Sequence, residues 1–123
     1  MQFLGAVNGV EQVYQAADCL AHPTLEDTFA MVVLEAMSYG LPVVVSQEKY
    51  CGIAGLLTNG LNALILDEPK NAKALSQLLQ SMVNNAELRG KLSAESSKFA
   101  DGFAWALMAH QHEQIYLKIT SKT

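Results

Sequence analysis

The chain has 123 residues, of which 50% are hydrophobic and 16% are charged, and its formal net charge is −4. A charged share below the usual value of about 25% excludes a disordered chain, and the length fits one domain or part of one. The acidic balance provides no general attraction to nucleic acid or to an anionic membrane. The sequence has no apolar run near the roughly 20 residues of a membrane span and no N-terminal secretory signal, so we expect a cytoplasmic protein.

The first half of the chain alternates short apolar stretches with amphipathic ones, which is typical of a parallel α/β sheet covered by helices. Asn8 has a side chain suited to capping a helix, and apolar residues at helical spacing follow it as far as Ala17. A short strand is predicted over residues 19–22, where Pro23 ends regular pairing.

A second helix is predicted over residues 30–39, with Gly40 as its C′ residue. Because the segment is apolar on nearly every side, we expect the fold to enclose it. Residues 41–46 are rich in β-branched side chains and carry Pro42 near their start, which predicts a buried parallel strand.

The rest of the chain is predicted to contain one more strand and a helical tail. One or two helical turns over 53–57 and an Asn-Gly turn precede a strand over 63–66. From residue 71 the pattern is helical only, which predicts a helical tail over about 71–119 that is interrupted at Asp101 and Gly102.

The cysteines and histidines predict no metal site. Cys19 and Cys51 have neither a CxxC spacing nor a neighbouring pair of histidines, so we expect two reduced thiols. His110 and His112 lie two residues apart on a helix and point to different sides, which predicts surface histidines.

Glu35 stands inside an otherwise apolar helix, where an unpaired carboxylate is costly to bury. Either a cap or internal ion pair satisfies it, or it accepts hydrogen bonds from a polar ligand such as the two hydroxyls of a ribose. Glu35 follows Thr28 by seven residues, or ~10 Å of helix, a span that suits a nucleoside diphosphate. Its phosphates would then lie on the N–H groups of Phe29, Ala30 and Met31.

Two further polar residues flank the start of this helix. Asp27 either caps the helix or contacts a ligand group beyond the phosphates. His22, at the end of its strand, either touches a donor sugar or bonds to loop backbone.

Three segments carry a resemblance to a known family. They read His-Pro-Thr at 22–24, Asp-Thr-Phe-Ala-Met-Val-Val-Leu-Glu-Ala-Met at 27–37 and Gly-Leu-Pro-Val-Val at 40–44. Together they resemble the Glu-x7-Glu region of the retaining GT-B glycosyltransferases of family 4, the glycosyl transferases group 1. The opening residues, the segment over 59–66 and the helical tail follow the family pattern as well.

The resemblance implies a Rossmann-like parallel sheet with a helical C-terminal tail, forming the distal part of the C-terminal domain of a GT-B fold. Residues 1–123 would be a single partial domain, the nucleotide-sugar-binding portion of the enzyme. Asp27 would be the catalytic residue facing the donor sugar. The other donor-binding residues would be Glu35 at the ribose, together with Thr28, Phe29, Ala30, Met31 and His22.

The resemblance also implies an activity. The full-length enzyme would transfer a hexose from a nucleotide sugar, a UDP-sugar, to a polysaccharide or lipopolysaccharide acceptor held by an N-terminal domain, with no metal or other cofactor. The Cys-Gly-x-Ala sequence at 51–54, together with the His22-Pro23 pair, resembles that of the lipopolysaccharide core glucosyltransferases, which use UDP-glucose. Such a full-length protein would work in the cytoplasm at the inner face of the membrane.

Departures from the family pattern support an alternative, a non-catalytic nucleotide-binding or interaction module that keeps the fold. Asp27 replaces the first Glu, and Ala30 replaces a Gly whose missing side chain lets phosphate approach the backbone. Every Lys and Arg lies at or after position 49, although a pyrophosphate leaving group needs neutralisation. We therefore expect the isolated chain to be inactive.

The last predicted helix carries more apolar side chains than a partial domain can bury. They are Phe103, Trp105, Met108, Ile115 and Ile119. A large apolar patch and an unpaired sheet edge both favour association, so we expect a homodimer that results from truncation.

Overall fold

A computed structural model describes residues 1–121 and contains one three-stranded parallel sheet. The strands, in spatial order, are β1 (Leu20–His22), β2 (Val43–Ser46) and β3 (Leu64–Leu66). Leu20 lies opposite Val43, and Val44 lies opposite Leu64. The parallel sheet predicted from the alternating pattern is confirmed.

Within residues 1–121, five α-helices accompany the sheet, and a short 3₁₀ helix (Gly52–Leu56) lies between β2 and β3. The helices are α1 (Val10–Ala16), α2 (Met31–Ser38), α3 (Ala72–Asn84), α4 (Ala86–Asp101) and α5 (Trp105–Thr120). The break predicted at Asp101 and Gly102 separates α4 from α5.

The central strand β2 is covered on both of its faces. Val43 and Val45 belong to a cluster that contains Met37 of α2, whereas Val44 belongs to a second cluster that contains Leu92 of α4. Alternate side chains of a strand point to opposite faces, so two core layers meet on this strand. All four residues of β2 are buried, as the sequence predicts.

The N-terminal boundary of α1 differs from the prediction. Gly9, not Asn8, precedes the helix, and it adopts φ 79° with no side-chain cap. This left-handed conformation suits glycine, whereas Asn8 lies one residue too early to be the cap. Tyr14 is the buried residue of α1.

Helix α2 is less enclosed than its apolar sequence predicts, and this expectation was wrong. Val33, Ala36 and Met37 are buried, but Met31 is 56% exposed and Glu35 is exposed too. A helix that packs on a sheet by one face buries one stripe of side chains, whatever the composition of its other side.

The C-terminus of α2 has the geometry predicted from its glycine. Gly40 adopts φ 74°, its N–H donates to Met37 O at 2.9 Å, and the N–H of Leu41 donates to Ala36 O at 3.1 Å. These two bonds form a Schellman motif. The hydroxyl of Ser93 on α4 donates to Gly40 O at 2.6 Å, which ties the helical tail to this turn.

The helical tail is capped by asparagines and ends in an exposed helix. Asn71 Oδ1 accepts from the N–H of Ala74, and Asn85 Oδ1 accepts from that of Leu88, each at 3.0 Å. None of the residues of α5 is buried, and Trp105 is 89% exposed. The apolar surface expected on the last helix is therefore confirmed.

Among the described residues, no helix is both long and apolar enough to cross a membrane.

Candidate functional site

The candidate site lies where the chain leaves β1, turns and enters α2. This turn is held by the loop that follows β2: the N–H of Asp27 donates to Tyr50 O at 2.9 Å, and the N–H of Gly52 donates to Asp27 O at 3.1 Å. Because β1 and β2 are parallel, their carboxyl ends meet at one edge of the sheet, where ligands of open α/β sheets bind.

Gly52 allows this close approach. A Cβ atom at this position would lie 1.9 Å from Thr28 O. Only glycine can bring the two backbones together at this distance. The Cys51-Gly52 pair, which the sequence places in a loop, is therefore part of the scaffold of the turn.

Ala30 has an unusual backbone conformation. It adopts φ 72° and ψ 69° as the residue that precedes α2, and it is 3% exposed. A residue with a Cβ in this left-handed region costs about 1–3 kcal/mol, so the surrounding structure must impose the conformation. The N–H of Ala30 donates to Asp27 Oδ1 at 2.8 Å, and the N–H of Ile53 donates to Phe29 O at 3.1 Å.

Asp27 uses both of its carboxylate oxygens within the chain. Oδ1 accepts from Ala30, and Oδ2 lies 3.1 Å from His22 Nε2. Asp27 does not cap α2, because Ala30 is the N-cap residue and no side chain caps the helix; the bond to Ala30 closes the turn before α2, and the Asp27 side chain keeps 32% exposure. The ring of His22 contacts the carboxylate of Asp27 rather than the loop backbone, and its contact with a donor sugar stays a prediction.

Glu35 lies on the exposed side of α2, where its carboxylate meets a phenol. Tyr14 donates its hydroxyl hydrogen to Glu35 Oε2 at 3.0 Å. Neither a cap nor an internal ion pair satisfies Glu35, because its partner is a neutral tyrosine. Among the described residues, Glu35 Oε1 accepts no hydrogen bond.

Tyr14 is buried and stacked beside Glu35. It is 7% exposed, and its ring stacks on Tyr39 with 5.5 Å between ring centroids. Burial, followed by the hydrogen bond and the charge of Glu35, raises the pKa of Tyr14 to about 12. The phenol therefore stays protonated at physiological pH and donates a hydrogen bond to Glu35.

The N-terminus of α2 keeps free backbone donors. In the part of the chain that the structure describes, the N–H groups of Phe29 and Met31 donate no hydrogen bond, whereas that of Ala30 is used by Asp27. Unpaired N–H groups at a helix start favour an anion such as phosphate. Thr28 and Met31 are exposed beside them.

An apolar groove of about 570 Å³ adjoins Glu35 between α2 and the start of α5. The Phe29 and Phe103 rings meet across it with centroids 6.2 Å apart. The groove is also lined by Met31, Leu34, Trp105 and Met108. The sequence did not predict this contact between Phe103 and Phe29, one of the expected donor-binding residues.

Cys51 and Lys49 neighbour the turn without adding a nucleophile or an ion pair. Burial, and secondly the charge of Asp27, raises the pKa of the Cys51 thiol, which keeps it neutral. Both cysteines are free thiols, as predicted. Lys49 Nζ lies 5.2 Å from the ring centroid of Tyr50, and no Lys or Arg within residues 1–121 forms a salt bridge with a carboxylate.

Most of the chain matches the model of one protein family. The model of the family "Glycosyl transferases group 1" matches residues 1–99. The chain belongs to this family. Its resemblance to the family, stated from three short segments, is thereby confirmed.

A curated relative is the lipopolysaccharide glucosyltransferase WaaG of Escherichia coli (strain K12). The two sequences are 28% identical over 101 residues, which cover 82% of this chain and 26% of WaaG. The chain of this family member thus spans about a quarter of its relative's length.

Solved glycosyltransferases have the same fold. A glycosyltransferase from Rickettsia africae superposes with a TM-score of 0.85 at 20% identity, covering 99% of this chain and 32% of that chain. Anabaena HepE in complex with UDP-glucose superposes with a TM-score of 0.77 at 24% identity, covering 98% and 32%. The fold is that of the C-terminal domain of GT-B glycosyltransferases, as the resemblance implied.

The structure brings the predicted site residues into two groups. His22, Asp27 and Ala30 are linked by side-chain hydrogen bonds, while Glu35 lies further along α2 with Tyr14. Sequence reasoning missed the Tyr14–Glu35 contact because the two residues are 21 positions apart. The helical spacing that places Tyr14 on the inner face of α1 was the available signal.

Proposed function

We propose that this family member is the nucleotide-sugar-binding portion, one partial domain, of a retaining glycosyltransferase. The observation that carries the proposal is the arrangement on α2. Free N–H groups lie at its start, and an exposed carboxylate with one open oxygen lies further along the same helix. A nucleoside diphosphate has phosphates and ribose hydroxyls at a matching separation.

Each donor group has a partner in this arrangement. The diphosphate binds the N–H groups of Phe29 and Met31, beside the Thr28 side chain, and the helix dipole favours its charge. The ribose hydroxyls donate to Glu35, since an ionised carboxylate only accepts hydrogen bonds. Asp27 and His22 face the sugar beyond the phosphates.

The donor is a UDP-linked hexose, UDP-glucose in our proposal. HepE is described in complex with UDP-glucose, and WaaG is named a lipopolysaccharide glucosyltransferase. By analogy with them, the acceptor is a polysaccharide or lipopolysaccharide bound by the rest of the full-length protein, in the cytoplasm at the inner membrane face. No metal or organic cofactor takes part.

In the proposed reaction the acceptor hydroxyl oxygen bonds to the anomeric carbon from the side of the leaving group. The bond between that carbon and the diphosphate oxygen breaks, and the hydroxyl proton passes to the departing phosphate. No protein nucleophile is required, which agrees with the neutral state of the buried Cys51 thiol.

A non-catalytic binding module is the second candidate. Both carboxylate oxygens of Asp27 and the N–H of Ala30 are already bonded within the chain, so these three groups need no ligand. Under this alternative the chain keeps the fold and partner contacts but transfers no sugar.

Calorimetric titration of UDP into the wild-type chain and its Glu35→Ala variant tests the proposal. A hydrogen bond to a charged group contributes about 1.5–3 kcal/mol, so the variant should bind UDP at least tenfold more weakly. Glu113→Ala, which removes an exposed carboxylate from α5, is the matched control and should bind like wild type. Equal heats from wild type and Glu35→Ala, or no heat from either, contradict a donor site in this chain.

A further inference from the structure

We propose that Tyr14 is a positioning residue of the donor site, whose hydroxyl holds the Glu35 carboxylate ready for the two ribose hydroxyls. This inference rests on the proposed function and deepens it. It assigns a role in donor binding to α1, a helix that contributes no residue to the turn or to the start of α2.

Tyr14 is the one residue of α1 that reaches the core. Residues 1–13 are all exposed, and Tyr14 alone among the residues of α1 is buried. The side chain that anchors α1 to the core is thus the one that reaches Glu35. The hydroxyl is fixed by the core packing of its ring and by stacking on Tyr39.

Without the contact to Tyr14, the Glu35 carboxylate would have no partner within residues 1–121 to orient it. Its side chain is exposed, and no other hydrogen bond to its carboxylate is present among the described residues. A free glutamate side chain samples many rotamers, and a ligand that orders it loses binding free energy. Tyr14 selects one carboxylate orientation before the ligand arrives.

The geometry of the contact leaves room for the ligand. A phenol donates one hydrogen, and it uses one acceptor site on Oε2, whereas a carboxylate offers about four such sites. Oε1 and the remaining site on Oε2 can therefore accept from two neighbouring hydroxyls. Because the phenol stays protonated, it does not repel the carboxylate that it holds.

The test compares two ligands, four proteins and one control variant by calorimetry. The ligands are UDP and 2′,3′-dideoxyuridine diphosphate, which lacks the ribose hydroxyls. The proteins are wild type, Tyr14→Phe, Glu35→Ala and the double variant. Tyr14→Phe keeps the buried ring and removes only the hydroxyl, and Tyr39→Phe is the matched control because the Tyr39 hydroxyl forms no hydrogen bond in the described chain. A urea midpoint within error of wild type shows that Tyr14→Phe folds.

We expect Tyr14→Phe to bind UDP about three- to tenfold more weakly, the effect of losing one pre-ordered side chain. The dideoxy ligand should bind wild type and Tyr14→Phe equally, and Tyr14→Phe should add nothing in the Glu35→Ala background. Tyr39→Phe should bind both ligands like wild type.

Three results overturn the inference, and they separate it from the proposed function. If Glu35→Ala weakens UDP binding while Tyr14→Phe does not, the positioning role is wrong and the donor site stands. If Tyr14→Phe weakens both ligands equally, its role is structural. If UDP does not bind wild type, or binds Glu35→Ala equally well, the donor site and the inference both fail.

Discussion

Substitution of Gly52 by alanine should destabilise the chain and distort the turn before α2. The new Cβ would lie 1.9 Å from Thr28 O, whereas real Cβ contacts essentially never fall below 3.0 Å. The two backbones must therefore separate by more than an ångström. The atom in the way belongs to the main chain, so no side-chain rotation relieves the overlap.

The cost follows from what holds the two segments together. The Gly52 N–H bond to Asp27 O and the Ile53 N–H bond to Phe29 O lie at the point of overlap. Losing them costs about 0.5–1.5 kcal/mol each, and overpacking at the half-buried Gly52 adds about 1–3 kcal/mol. We expect a loss of about 2–6 kcal/mol, a large share of the about 5–15 kcal/mol typical of a domain.

Urea unfolding followed by far-UV circular dichroism measures this loss. Gly90→Ala is the matched control, because Gly90 lies exposed in α4 with no atom within 4 Å of an added Cβ. Alanine in a helix is more favourable than glycine by about 1 kcal/mol, so the control should be stabilised. A Gly52→Ala variant within about 0.5 kcal/mol of wild type refutes the close approach of the two loops.

Three further predictions follow from the site and the tail. Phenol absorbance should show Tyr14 titrating near pH 12, and Glu35→Gln should lower that pKa while burial keeps it above 10. Since the folded-state pKa is raised, the contribution of Tyr14 to stability is complete below pH 10 and is lost between about pH 10 and 12; a wild-type Tyr14 that titrates at pH 10 contradicts the contact. In the full-length enzyme, Asp27→Glu should preserve or raise turnover and Asp27→Asn should lower it markedly if Asp27 faces the sugar, whereas unchanged turnover in the Asn variant shows that Asp27 only holds the turn before α2. Sedimentation at micromolar concentration should show a dimer, and a monomer with buried-type Trp105 fluorescence refutes the association surface.

The elements that sequence predicted well depend on neighbouring residues only. The β-branched run in β2, the glycine after α2 and the start of α3 behind Asn71 each act through a few adjacent positions. The family resemblance likewise rests on three short contiguous segments.

The burial of α2 was not predictable in this way. An apolar helix is enclosed only if other elements cover all of its sides, and here Met31 and Glu35 stay exposed. Composition describes the side chains but not which of them meet a partner. The premise that Glu35 is buried was wrong, although the residue does have a partner.

The amino-acid sequence by itself determined the parallel α/β architecture, the ends of several helices and the family, because these depend on local conformational preferences and periodicity. Only the tertiary structure decided that Tyr14 meets Glu35 and that Gly52 lies against Thr28. Only it placed Ala30 in a left-handed conformation. The two contacts depend on segments more than 20 residues apart being brought together, and that proximity arises from packing around the sheet rather than from any local pattern.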